Sequence, residues 1–144
     1  LIKEQERIGA QTPSLNELLT PTNIYVKPIL TLLKKFELKG MIHVTGGGIT
    51  QNLPRILPAG LGATIYLNNM PLPEIFCWLM KSGPVELPEM LRTFNCGLGM
   101  LLIVDPSETV AIQKELDDLS QPNVFIGTVK RNNKIEYQGN FSNL

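Results

Sequence analysis

The chain is 144 residues long, 43% hydrophobic and 18% charged, which is enough material for one globular domain with a real core. Thirteen Lys and Arg residues balance thirteen Asp and Glu, so no net field draws nucleic acid or an anionic membrane surface, and neither is expected as a partner. Two distant cysteines and a single histidine leave no Cys/His cluster, so no metal site is expected, and two free thiols fit a reducing, cytoplasmic setting.

No apolar run approaches the length of a membrane span, and no signal layout opens the chain. The opening residues 1–14 are polar and begin with Leu1. They read as a linker remnant from a longer polypeptide, with the domain proper at 15–144. The segment NIYVKPILTLLKKFELKG then places Val26, Ile29, Leu30, Leu33 and Phe36 at helical spacing, with Pro28 tolerable in the first turn. KGMIHVTG reads as a short buried strand running into glycine, and ITQNLPRIL as at least one helical turn. LGATIYLNN is a second strand, closed by an Asn pair suited to a turn.

PLPEIFCWLMKSG sets Leu72, Ile75, Phe76, Leu79 and Met80 on one helical face, with prolines at the start and Gly83 just past the end. Cys77 and Trp78 read as core residues, Trp78 with base stacking as the alternative. ELPEMLRTF is a short helix and GLGMLLIVD an apolar strand. DPSETVAIQKELDDLS opens with Asp105 at the N-cap, Pro106 at N1 and Glu108 at N3, a capping box. Its apolar face is Ile112, Leu116 and Leu119. NVFIGTVKR and KIEYQGN read as a hairpin across Asn132 and Asn133, and the last residues as a loose tail. The expected fold class is α/β (α+β), a mixed β-sheet with packed helices.

Gly46, Gly47 and Gly48 raise a chemical question, because glycine in regular structure costs roughly 0.5–1 kcal/mol against alanine. Neither the Walker A pattern nor G-x-G-x-x-G is present. What remains is a strand, a loop without Cβ atoms and a helix start, whose unpaired N–H groups favour an anion. Arg55 could add a planar fork for phosphate oxygens, and Thr45, Thr50 and Asn52 neutral hydrogen bonds. A tight strand-to-helix turn with a surface arginine is the competing reading. His43 shares a strand face with Thr45 if alternation holds, with Val44 pointing away. It is either a catalytic acid or base near neutrality or a histidine satisfied inside the core.

The second constellation is EMLRTFNCGLGM. Arg92, Thr93 and Asn95 are its polar candidates. Arg92 alternatively pairs with Glu89 one turn back. Asn95 stands where a helix could end in a left-handed residue. Gly97 and Gly99 alternate along one strand face, where they admit a packed neighbour or a ligand.

HVTGGGITQNLPRILPAGLGA resembles the segment H-x-T-G-G-G-x-x-x-N-x-P-R-x-L-P of the phosphoribosylformylglycinamidine cyclo-ligase (AIR synthetase) family. LLTPTNIYVKPIL, IFCWLMKSGPV and EMLRTFNCGLGMLLIV are similar to further motifs of that family, in the same order, so the likeness runs from about Leu15 to Val129. It covers only the C-terminal half of the family's polypeptide. The resemblance implies an AIR synthetase C-terminal-domain-like fold and a parent enzyme that closes the imidazole ring of formylglycinamidine ribonucleotide with ATP. It also implies that ATP and Mg2+ are contacted mainly by an N-terminal domain absent from this sequence, and that the parent is a homodimer with its cleft between the two kinds of domain. Gly46, Gly47 and Gly48, with Thr45, would cradle the ribonucleotide phosphate. Arg55 would contact it or brace the loop, and Asn52 would fix the loop or a ligand group. The alternatives are another member of the superfamily (a formylglycinamidine ribonucleotide synthetase, selenophosphate synthetase or hydrogenase-maturation type) or a noncatalytic phosphate-binding module.

Overall fold

A computed structural model describes residue 13 and residues 15–142. The linker expected over 1–14 lies, apart from Pro13, outside the described residues, as do the last two positions of the tail. The described elements run α1 (Leu15–Leu18), α2 (Val26–Leu33), β1 (Gly40–His43), α3 (Gly48–Asn52), β2 (Gly62–Tyr66), α4 (Glu74–Ser82), α5 (Leu87–Thr93), β3 (Met100–Ile103), α6 (Thr109–Asp118), β4 (Gly127–Lys130) and β5 (Ile135–Gln138). Short 3-10 turns follow α3 and β2 and precede α6.

The strands form two sheets. β1 pairs antiparallel with β3, Ile42 opposite Leu101. One further bond, from Val44 N–H to Gly99 C=O at 2.9 Å, carries this pairing up to the glycine loop. β2 is the centre of a three-stranded sheet, antiparallel to β4 and parallel to β5. The expected hairpin is therefore not formed, because β2 lies between its two arms. The reason is burial: residues 62–65 are all buried, so β2 must be paired at both edges, whereas β4 and β5 carry exposed residues and can serve as edges. The connection between the arms crosses the start of β2. Lys134 C=O and Asn132 Oδ1 stand only 2.1 and 2.2 Å from where a Cβ on Gly62 would lie. Glycine is required there.

The main core gathers Ile42, Val44, Ile49, Leu53, Ile65 and Met90 with Cys77, Cys96 and Phe141. Phe141 anchors a tail whose sequence suggested looseness. A smaller core joins Leu32 of α2 to Ile112 and Leu116 of α6, with Phe36, Leu38, Leu102 and Val104 around it. The Lys35–Glu115 ion pair at 2.7 Å closes its rim.

Four local expectations are corrected. The face of α2 that turns inward is Pro28 and Leu32, while Val26, Leu30 and Leu33 stay 63%, 54% and 45% exposed. The apolar arc of this helix is wider than α6 can cover, and periodicity does not say which part is covered. β1 is not a buried strand: Ile42 is buried and Met41 and His43 are exposed. Asp105 caps the 3-10 turn, its carboxylate accepting from Ser107 N–H at 2.9 Å, and α6 begins later, at Thr109. Those Ser107 hydrogen bonds hold the Asp105 carboxyl below its ordinary range. Finally, Trp78, at the middle of α4, is only half-buried rather than a buried core anchor.

Candidate functional site

β1 delivers the chain into the glycine loop with the alternation its sequence implies. Val44 is buried, and His43 and Thr45 are exposed on the other face. His43 is therefore not a core histidine. Its ring stands edge-on to Tyr25, centroids 6.0 Å apart. The phenol of Tyr25 lies over Gly99, its oxygen 2.0 Å from where a Cβ would be. Gly99 is bare so that Tyr25 can sit beside His43.

The three loop glycines differ. Gly47 has φ +96 and Gly48 φ +57, a left-handed pair that an L side chain adopts only with strain. A Cβ on Gly48 would also lie 2.3 Å from Leu91 C=O and 2.6 Å from Phe94 C=O, both rigid backbone. Gly46 is another case: nothing lies within 4 Å of its virtual Cβ, and its φ is outside the left-handed range. The fold makes no demand for glycine at 46.

Asn52 locks this loop from behind. It is 3% exposed, and its amide donates to Gly48 C=O at 2.7 Å, Gly46 C=O at 3.2 Å and Thr45 C=O at 3.4 Å. Its Oδ1 accepts from Thr45 Oγ1 at 3.4 Å and Arg55 Nη1 at 3.5 Å. Of the two roles open to Asn52, the loop takes it. These bonds draw the loop carbonyls inward. Of the loop N–H groups, that of Gly48 donates to Thr45 C=O at 3.1 Å. Among the described residues no carbonyl accepts from the N–H groups of Gly46, Gly47, Ile49 or Thr50. A turn passing from left-handed to right-handed backbone converges such groups on an anion. Arg55, exposed at the end of the following turn, brings a cation against Asn52 behind the loop.

α3 packs on α5, which sets the second motif beside the first. Arg92 and Thr93 both bond Glu89, at 2.6 and 2.7 Å. The Thr93 hydroxyl, then Arg92, holds this exposed carboxyl below its ordinary range. Such a surface pair contributes little to stability. Asn95 is not the left-handed residue; Cys96 (φ 49) and Gly97 (φ 90) are. The Asn95 side chain instead accepts from Gly97 N–H at 3.1 Å. Gly97 lies in this turn, outside β3, with Pro73 Cδ 2.5 Å from its virtual Cβ. Both glycines of the second motif thus serve packing.

Thr50 points inward, its hydroxyl bonded to Leu91 C=O at 3.0 Å and to the Tyr137 hydroxyl at 2.7 Å. Two neighbours were not recognisable from the sequence. Gln51 folds its side chain over Gly47, to within 2.6 Å of the virtual Cβ, a placement implied only by the i+4 spacing. Tyr137 reaches α3 from the far end of the chain, and no local pattern signals it.

Two surface hollows, of about 570 and about 220 Å³, are lined by residues other than the loop glycines. Thr45 and Gly46 are exposed, Gly47 is half-buried and Gly48 is buried. Among the described residues no group of three or more His, Cys, Asp or Glu could hold a metal ion, and no helix is long and apolar enough to cross a membrane. The chemistry on offer is hydrogen-bond and charge complementarity to an anion, with an exposed imidazole and a half-buried phenol at the rim.

A β-strand leading through a bare, internally braced glycine loop, with two small sheets and six helices among the described residues, is the setting in which the comparison with known families falls. Over residues 2–140 the chain belongs to the family described as AIR synthase related protein, C-terminal domain. Among named relatives, the phosphoribosylformylglycinamidine cyclo-ligase of Neisseria meningitidis is 46% identical over 120 residues, 83% of this chain and 35% of that protein. The protein of the same name from Geobacter sulfurreducens is 45% identical over 123 residues, and that of Brevibacillus brevis 41% over 124; each alignment takes 85% of this chain. The chain spans about a third of the length of these curated relatives, 35 to 36%.

Proposed function

We propose that this chain is the substrate-phosphate wall of a phosphoribosylformylglycinamidine cyclo-ligase. In that reading a larger protein closes the imidazole ring of formylglycinamidine ribonucleotide. The γ-phosphoryl group of ATP passes to the formamide oxygen, an amidine nitrogen attacks the activated carbon, and phosphate leaves to give 5-aminoimidazole ribonucleotide and ADP. Such chemistry depends on holding two phosphorylated molecules in register, so positioning and charge compensation carry it. On this chain the N–H groups of Gly46 and Gly47 and the Thr45 hydroxyl hold the ribonucleotide phosphate. Arg55 adds charge beside it, Asn52 and Gly48 fix the cup from within, and His43 stands at the rim as the acid or base candidate. Arg92, Thr93 and Asn95 border the same face. ATP and Mg2+ are assigned to the part of a full-length cyclo-ligase that this chain does not cover, as the family resemblance implies. The setting proposed is cytoplasmic and the whole enzyme a homodimer.

The observation that carries the reading is Gly46, a glycine whose absent side chain leaves room that none of the described residues fills. It is a site kept clear for something that approaches from outside. The exposed apolar stripe Val26, Leu30 and Leu33 on α2 supports the partner half of the proposal, a face for the domain that completes the cleft.

The test is an amide NMR titration of the chain with the ribonucleotide, and with ribose 5-phosphate and inorganic phosphate as probes. Resonances of Gly46, Gly47 and Thr45 are expected to move first. A titration to high concentration that leaves them still would overturn the site. The chain by itself is expected to show no ATP-dependent ring closure, because half the cleft is missing; turnover by pure chain would contradict the assignment of ATP elsewhere.

A further inference from the structure

The glycine loop has a support 87 residues away in the sequence that the motif itself does not contain. Thr50 has one hydroxyl proton, and that proton goes to Leu91 C=O at 3.0 Å. In the 2.7 Å contact between Thr50 Oγ1 and the Tyr137 hydroxyl, the phenol must therefore be the donor. The result is a directed relay from Tyr137 to Thr50 to the carbonyl of Leu91. Each bond polarises the next. The same Leu91 carbonyl lies against bare Gly48, 2.3 Å from the virtual Cβ. It is thus the point at which α5, the loop and the relay meet.

Thr50 is the residue on which this matters. Its side chain is held inside by two hydrogen bonds, and its N–H is one of the loop donors with no carbonyl partner among the described residues. Fixing the side chain fixes where that N–H, and the Ile49 N–H beside it, can point. Tyr137 is well suited to be the fixed end. It lies on β5, directly across from Ile65 of the central strand in the parallel ladder, and packs against the main core. Burial pushes its phenol upward from the usual range, outweighing the opposite effect of the Thr50 bond, so it remains a proton donor at neutral pH.

We propose that Tyr137 is a positioning residue for phosphate binding: through Thr50 it sets the direction of the α3 N–H groups that face the loop's anion, so the C-terminal strand makes the glycine loop competent. This rests on the reading of the loop as a phosphate site and names a residue for that site which touches no ligand.

The experiment uses the chain with Tyr137→Phe, Thr50→Val, Thr50→Ser and the Tyr137→Phe/Thr50→Val double substitution. Without ligand, amide exchange is followed at the hydrogen-bonded amides Gly48 and Gln51 of the loop and, as a remote control, in α6. Tyr137→Phe is expected to speed exchange at Gly48 and Gln51, whose N–H groups donate to Thr45 C=O and Gly47 C=O, about tenfold while α6 is unchanged, a local effect that a general loss of stability would not produce. With inorganic phosphate as probe, Tyr137→Phe and Thr50→Val are each expected to weaken binding about fivefold, the size of one neutral hydrogen bond. Thr50→Ser should restore it, and the double substitution should be no worse than the poorer single one. Unchanged loop exchange in Tyr137→Phe, or fully additive single effects, would overturn the proposal. If wild-type chain shows no phosphate response, the phosphate reading fails, and this proposal with it as a statement about binding; a wild-type response unaltered by Tyr137→Phe overturns the relay alone.

Discussion

Residues 45–48 and 96–99 are both glycine-bearing turns at the end of the β1–β3 pair, and they are bare for opposite reasons. In the second, Pro73 fills the space beside Gly97 and the Tyr25 phenol fills that beside Gly99. In the first, Gly48 is likewise filled by backbone carbonyls, but Gly46 opens onto nothing. A glycine whose missing side chain is occupied by the protein explains itself, and so does Gly60, which faces open space but at φ +89; Gly46 has neither reason. The contrast separates structure from function inside a single triplet, which counting glycines does not.

The hardest test of this contrast is Gly48→Ala. Left-handed backbone and two immovable carbonyls should together cost about 3 kcal/mol or more, seen as a melting temperature lower by roughly 8 °C. A loss under about 1 kcal/mol would mean that the turn is far looser than its contacts imply. Asn52→Ala comes next. It strips three loop carbonyls of their donor and is expected to cost about 2 kcal/mol in chemical denaturation, with Thr45 to Gly48 amides shifting most.

The sealed character of the second segment can be read from pH. Cys96 is buried against the carbonyls of Met90 and Phe94, its Sγ at 3.7 and 3.8 Å, and burial pushes its thiol up to about 11 from 9.0. Unfolded chain therefore loses this proton from about pH 9, before the folded chain does. Stability is intact below pH 9 and falls as pH rises toward 11. Tyr137 adds in the same direction above pH 10. The fall should be up to about 2 kcal/mol by denaturation midpoint, and Cys96→Ala should flatten most of it. An unchanged slope would show the thiol is not sealed in.

Gly99→Ala is expected to cost about 1.5 kcal/mol, less than Gly48→Ala because a tyrosine side chain can swing where backbone cannot. Its signature is loss of the Tyr25–His43 ring contact by nuclear Overhauser spectroscopy. The smallest effect is the most diagnostic. Gly46→Ala should leave stability unchanged or raise it by about 0.4–1 kcal/mol, through the unfolded chain, while weakening phosphate binding. Destabilisation at Gly46 would erase the distinction between the two segments.

Much of this was legible in the residues themselves. The H-x-T-G-G-G-x-x-x-N-x-P-R run marked the loop, the spacing from Gly48 to Asn52 put an amide one helical turn behind the glycines, and strand alternation sent His43 and Thr45 to one face. These depend on contacts within a few residues, which local periodicity records. The Arg92–Glu89 pair was legible for the same reason, one turn of helix apart. Cys96 and Gly97 as the left-handed pair were not, because Asn95 is an equally good turn former and only packing against Pro73 decides between them.

Sequence alone therefore determined the family, the order of helices and strands, and the strand–glycine-loop–helix segment, since each is written in short-range spacing and residue type. Tertiary structure alone decided that β2 enters between β4 and β5, that α2 turns Leu32 inward and leaves Val26, Leu30 and Leu33 outside, and that Tyr137 meets Thr50. Those outcomes turn on which distant surfaces compete to be buried. Strand pairing across 60 or more residues is chosen by the whole chain's need to cover β2 on both edges, and no window of sequence contains that competition.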